Sequence, residues 1–323
     1  MLAEGTQETD SNMSLTAGID IGATRIKAAV VEQGYIKEKR IVFLEQDDRS
    51  EEGIVERLAA IVKGFGSKIT GVGIGVAGVI DINQGIIKES PNFPLWQNFP
   101  LKSELEKKLN IPVQIDNDAN MVAWGEYLYG AGRGARSMIL LTLGSGVGGG
   151  IILDGRLYHG ERGMAGEIGH ITVEPEGFAC NCGNRGCLEQ YASANGLRNF
   201  VKRDHFFGSD TKSYLKEPRL PEVLYSLAKA GNEQARMYFE SFGYYLAVAL
   251  GGLLNVLDVH LIVFSGGISE SMDLWEDRLL QELQRRTFSS IVQGVEIKRG
   301  VLGDMAGVLG ASALFSLTDH LRG

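Results

Sequence analysis

The sequence predicts an α/β protein built as two similar halves that face one another across a ligand cleft. Three observations predict it. Residues 15–21 and 26–32 are β-rich runs joined by the tight turn Gly22-Ala23-Thr24-Arg25, and 138–153 repeats that logic, a strand entering and a strand leaving a turn at Gly144-Ser145-Gly146. Apolar residues at helical spacing alternate with short apolar runs through the rest of the chain. With 323 residues, 44% hydrophobic and 22% charged, the chain has the length and composition for two cores.

The elements follow in order. Ordered structure is expected from Leu15, after a polar tail over 1–14 that lacks the apolar core of a signal peptide. A second turn at Gln33-Gly34 leads to a third strand ending near Leu44. Ile54, Val55, Leu58, Ile61 and Val62 predict a helix over 51–63 that stops at Gly64. A buried strand at 71–76 runs into Ala77-Gly78-Val79, where glycine lets the chain pass close to a ligand, although close strand packing explains it equally. Residues 89–101, rich in Pro, Asn and aromatics, read as an ordered loop, and Pro100 opens a helix bearing Leu101, Leu105 and Leu109.

The strand at 111–115 then enters Asp116-Asn117-Asp118, which opens a helix through Trp124 to Tyr129. Polar groups between strand end and helix start stand where open α/β sheets present their sites. Asp118 is the candidate general base and Asn117 a substrate anchor; one of the three is also expected to serve as the helix N-cap. The Asp154-Gly155 hairpin follows 138–153. Residues 189–260 read mostly helical, with a polar linker at 210–222. A strand at 260–264 enters a third glycine turn, Ser265-Gly266-Gly267, followed by a helix over 272–286, a strand at 295–299 and a last helix at 304–317. Small residues in that helix, Ala306, Gly307, Gly310 and Ala311, predict close docking against the first half.

Composition narrows the function. With 40 acidic and 32 basic residues the net charge is −8 and no basic block occurs, so binding along a nucleic-acid backbone is disfavoured. The longest apolar run, 244–257, is short of the ~20 residues that span a bilayer and reads as a buried helix. A cytoplasmic location is expected.

All three cysteines, Cys180, Cys182 and Cys187, fall in one short glycine-rich loop just after His170. Three cannot all pair in disulfides, and thiolates with one imidazole suit a closed structural zinc site; incidental buried thiols are the plainer alternative. A rigid loop would aim its flanking groups, Glu167, His170 and Glu189, into one pocket able to bind a polyol. At the first turn Asp20 is placed to hold magnesium and Gly22 and Thr24 to bind phosphate, although a bare hairpin turn reads the same way.

Taken together, D-I-G-A-T-R-I-K, N-D-A-N, L-G-S-G-V-G-G-G, G-E-I-G-H, C-N-C-G-N-R-G-C-L-E-Q-Y-A-S and F-S-G-G-I-S resemble, in that order, the ROK family of bacterial sugar kinases and related repressors, in its glucokinase-like branch. The resemblance spans roughly Leu15 to Leu317. It implies the actin-like ATPase fold: two ribonuclease-H-like domains, 15–117 with the C-terminal segment 304–323 packed back on it, and a larger 118–303 carrying the zinc loop 170–187. It implies Asp118 as catalytic base and Gly78, Asn117, Asp118, Glu167, His170 and Glu189 around the sugar. Zinc would be held by His170, Cys180, Cys182 and Cys187, with His170 serving metal and sugar through its two ring nitrogens. Asp20, Gly22, Ala23, Thr24, Lys27, Gly144, Ser145, Gly146, Gly266 and Gly267 would line the ATP and Mg2+ site.

The activity implied is ATP-dependent phosphorylation of glucose at its 6-hydroxyl, with N-acetylhexosamines or other hexoses as alternatives and a catalytically silent sugar sensor as an alternative of another class. A homodimer is implied too. The repressors' N-terminal DNA-binding domain is not expected, given the short stretch before residue 15. Two positions depart from the family pattern. Ala23 stands where a second glycine is frequent, so its methyl is expected to crowd the phosphate, and Leu95 stands where glucose-type members tend to have glycine.

Overall fold

A computed structural model describes residues 15–66 and 68–315. The expected tail over 1–14 and the end of the last helix beyond 315 lie outside the described residues.

The first half opens as a meander, β1 (Leu15–Ile21), β2 (Arg25–Glu32) and β3 (Tyr35–Phe43). Its β1–β2 turn closes through Gly22 N–H donating to the Arg25 carbonyl at 3.0 Å. Helix α1 (Glu51–Gly64) starts at Ser50, whose hydroxyl caps Gly53 N–H, and buries Ile54, Val55, Leu58, Ile61 and Val62. Next come β4 (Ile69–Val76) and three short strands that the sequence reading did not identify, β5 (Val79–Asp81), β6 (Ile86–Glu89) and β7 (Gln97–Phe99), the last of them inside the expected 89–101 loop. Helix α2 (Leu101–Leu109) and β8 (Val113–Asn117) follow. The main sheet has the order β3-β2-β1-β4-β8, with β4 and β8 parallel to β1.

Helix α3 (Asp118–Tyr129) leads to the second half, where β9 (Met138–Leu143), β10 (Val147–Leu153) and β11 (Arg156–Leu157) form another meander. The loop to residue 193 is followed by α4 (Ala194–Asp204), α5 (Thr211–Tyr214), α6 (Leu220–Lys229) and α7 (Glu233–Leu257). The expected 210–222 linker is thus largely helical. Its prolines misled the reading, since Pro221 stands in the first turn of α6, where a missing N–H costs nothing. Strand β12 (Leu261–Ser265) ends in the third glycine turn, and the helix expected from 272 starts later, as α8 (Glu276–Arg286), because a separate short turn occupies Gly267–Leu274. Helix α9 (Ser289–Val292) and β13 (Glu296–Arg299) complete a sheet of order β11-β10-β9-β12-β13. The two sheets share one topology: an antiparallel meander, then two strands added parallel to its first member.

Helix α7 is 25 residues long, enough to cross a membrane by length and composition. Its Phe242, Leu246, Leu250 and Leu254 are instead fully buried in the core of the second half. Helix α10 (Ala306–Ser312), which begins two residues later than expected, returns to the first sheet. It lies so close that a Cβ at Gly18 would overlap the Val308 carbonyl, one at Gly73 the Ala311 carbonyl, and one at Gly125 of α3 the Ala306 carbonyl. Glycines on the sheet and on α3 let the helix backbone pack directly on them.

Candidate active site

The ends of both sheets carry the glycine turns. In the first turn Asp20 stands opposite Lys27 in the β1–β2 register, with the ammonium 3.4 Å from its carboxylate and 3.8 Å from Asp304. Lys27 is therefore tied to carboxylates rather than free in the turn. Burial raises the Asp20 pKa, with Lys27 pulling the other way. Ala23 is exposed and its φ lies outside the left-handed region, so the turn accepts its methyl without strain. Its carbonyl accepts from Arg49 Nη2 at 2.9 Å.

The second turn is closed by Gly144 N–H donating to Gly146 O, and it is held by Ala194 and Asn195, whose N–H groups donate to Gly144 and Ser145 carbonyls. A Cβ at Gly146 would stand 2.6 Å from Glu189 Oε2, so this carboxylate lies close against the turn. Gly266 of the third turn has φ 89° and abuts the Leu143 backbone. Beside the second and third turns opens a cavity of about 380 Å³ lined by Ser145, Arg198, Tyr225, Gly267 and Glu270. Arg198, Tyr225 and Glu270 belong to no motif, and sequence reasoning missed them.

Between the turns stands the start of α3. Asn117 is the N-cap: its Oδ1 accepts from Ala119 N–H at 2.9 Å and Asn120 N–H at 3.3 Å, while Nδ2 donates to the Gly78 carbonyl at 3.3 Å. The expected substrate anchor thus also holds the helix start and the Gly78 loop together. Asp118, the first residue of α3, accepts from Ala119 N–H at 2.9 Å. Burial, then the charges of Asp20 and Glu167, push its pKa up to about 6, against the pull of that N–H. A carboxylate poised near neutrality among other acids is what general-base work requires.

Glu167 is near enough to Asp118 to raise its pKa; its own pKa is raised by burial, lowered by His170 and raised by Glu189. His170 turns Nε2 toward Glu167, 3.9 Å away, and Nδ1 toward Cys180 Sγ, 3.7 Å away. The ligand atoms of His170, Cys180, Cys182 and Cys187 all lie within 4.8 Å of one another, with Cys182 and Cys187 sulfurs 3.6 Å apart. Ligands about 2.3 Å from a tetrahedral zinc stand roughly 3.7 Å from each other, so the four fit that ion. The loop is folded to bring them together: Cys180 N–H donates to Asn184 O, Gly183 N–H to Cys180 O, and Gly186 at φ 71° packs on the Glu174 carbonyl. Burial pushes the Cys180 thiol up to about 12, so three sulfurs gathered here call for a cation that stabilises thiolate. Asp118, Glu167, His170 and Glu189 form one electrostatically linked group, Glu167 acting on Asp118 and both His170 and Glu189 acting on Glu167.

One further pair escaped that reading. Asp116, 2% exposed, meets His159 Nε2 at 2.6 Å.

The sequence profile of the ROK family matches residues 16–317. The chain belongs to the ROK family. Among its relatives is a glucokinase of Halalkalibacterium halodurans, 38% identical over 94% of this chain and 95% of the other. A xylose repressor of Caldicellulosiruptor bescii is 33% identical over 76% of this chain and 62% of its own length. The solved structure of a ROK glucokinase from Streptomyces griseus, in complex with glucose and AMPPNP, is 34% identical and superposes with a TM-score of 0.76 over 93% of this chain and 99% of that one. This ROK protein accordingly has the actin-like ATPase fold, which the shared topology of its two sheets embodies.

Proposed function

We propose that this ROK protein is an ATP-dependent hexose kinase that phosphorylates glucose at its 6-hydroxyl, with Asp118 as general base. The observation that carries the reading is Asp118 itself: a carboxyl pushed up to about 6 at a helix start, between two glycine turns and beside Glu167. The likeness to the two glucokinases supports glucose as the sugar.

The glucose hydroxyls hydrogen-bond to Asn117, Glu167, His170 Nε2 and Glu189, near Gly78. ATP lies with its base in the 380 Å³ cavity and its phosphates toward the backbone N–H groups of Gly22–Thr24 and Gly144–Gly146. Asp118 accepts the 6-hydroxyl proton as that oxygen attacks the γ-phosphorus in line, the bond to the β-phosphate oxygen breaks, and ADP leaves. Asp20, a carboxyl whose pKa burial raises, fits the hard-oxygen donor set of magnesium, which would neutralise phosphate charge when bound. Zinc on the four loop ligands would be structural, fixing His170, Glu167 and Glu189 without an open position. A cytoplasmic homodimer acting at the entry to glycolysis accords with this reading.

The test is ADP formation from Mg-ATP with a panel of hexoses and N-acetylhexosamines. Release that depends on glucose supports the reading. Release with an N-acetylhexosamine alone moves the substrate, and none with any sugar from a zinc-loaded sample turns the protein into a sensor.

A further inference from the structure

We propose that His159 and Asp116 form a positioning pair that sets the separation of Asp118 from Glu167, and so governs how the sugar is held against its base; this rests on the kinase reading above. Asp116 ends β8 of the first sheet, immediately before Asn117 and Asp118. His159 follows β11 of the second sheet and heads the loop that ends in Glu167. The contact therefore joins the end of the first sheet to the loop that follows the second meander.

Every acceptor position of Asp116 that the structure shows in use serves this arrangement. Its Oδ1 takes Asn117 N–H at 2.7 Å and Asn120 Nδ2 at 2.9 Å, while Oδ2 faces His159 Nε2 at 2.6 Å. A carboxylate only accepts, so Nε2 carries the proton of a short, charge-assisted bond. From His159 the chain reaches Glu167 through a short loop. Ala165 N–H donates to the His159 carbonyl at 3.0 Å and closes the loop into a compact turn. Gly166, at φ 97°, is then seated so that a Cβ would lie 3.1 Å from the Gly149 carbonyl and 3.5 Å from Asn120 Oδ1.

Asn120 lies beside Gly166 with its Oδ1 unbonded, and its Nδ2 donates to Asp116. Asp116 is thus bonded to both the start of α3, which carries Asp118, and His159, which heads the loop to Glu167. Neither His159 nor Asp116 is assigned a place against the sugar or nucleotide. Both act through the residues beside them, and misplacing reacting groups by about 1 Å costs on the order of a hundredfold.

The experiment compares zinc-loaded wild type, His159→Ala and His159→Gln for glucose affinity by calorimetry without nucleotide, for kcat and both KM values by ADP release, and for Tm. The expected result is a glucose Kd and KM raised on the order of tenfold in His159→Ala with the KM for ATP nearly unchanged. His159→Gln, whose amide N–H can still donate to Asp116, should recover most of the loss. Unchanged glucose parameters in His159→Ala overturn the pair's role, as does an equal rise in both KM values that Gln does not relieve. A wild type that binds glucose but releases no ADP strikes at the kinase reading alone, and the calorimetric comparison still decides the pair. A wild type that binds no sugar overturns both.

Discussion

Replacing Asp118 by Asn should make the protein more stable at neutral pH while disabling it. The carboxyl titrates near 6 in the folded chain against an ordinary 3.8, a difference of roughly two units or about 3 kcal/mol. The first cause is burial, then repulsion from Asp20 and Glu167. Because the folded pKa is raised, Asp118 contributes its full share of stability below pH 3.8, and that share is lost as pH rises through about 6. Above that range the wild type must keep a charge in a place that disfavours it, whereas Asn keeps the shape and the acceptor for Ala119 N–H without the charge. Since Asp118 retains some solvent contact, a gain of about 1–3 kcal/mol at pH 8 is expected, falling to about half by pH 5. Urea unfolding of both proteins across pH 5–8, without magnesium or nucleotide, measures it. In parallel, wild-type kcat/KM should fall on the acid side of about pH 6. A variant less stable than wild type at pH 8, or a difference that ignores pH, would refute the electrostatic reasoning.

Elemental analysis should find about one zinc per chain, and Cys182→Ser should lose it together with on the order of ten- to a hundredfold in sugar affinity, because His170, Glu167 and Glu189 are aimed by the same loop; full sugar affinity in a metal-free sample would contradict this. Gly73→Ala should destabilise by about 1–3 kcal/mol, since its methyl would meet the Ala311 carbonyl of α10, a backbone atom that cannot swing aside. Gly252→Ala, exposed in mid-α7 with nothing within 4 Å, should instead stabilise by about 0.5–1 kcal/mol, and denaturant midpoints of the two variants compare them directly.

What the sequence revealed and what it hid differ in the range of the contacts involved. The glycine turns at 22–25 and 144–146 and the strands around them were legible because a hairpin is specified by neighbours. The clustering of His170 with the three cysteines was legible because all the cysteines share one loop. Asn117 as N-cap was one of three open choices, and only the helix start itself selected it. The small sheet of β5, β6 and β7 was missed because strands of three or four residues carry too little alternation to separate from a Pro-rich loop. His159, Arg198 and Tyr225 gave no signal, since each acquires meaning only from a partner distant along the chain. The common topology of the two sheets was hinted at by the paired turns, but the parallel placement of β12 beside β9 is a long-range pairing that local pattern does not encode.

The most direct test of the central claim is kcat of Asp118→Asn with glucose and Mg-ATP, read beside its calorimetric glucose affinity. With Asp118 as the base, turnover should fall on the order of a hundred- to ten-thousandfold while glucose binds about as tightly as to wild type. A near-normal rate in that variant would remove Asp118 from the reaction and with it the account built on it.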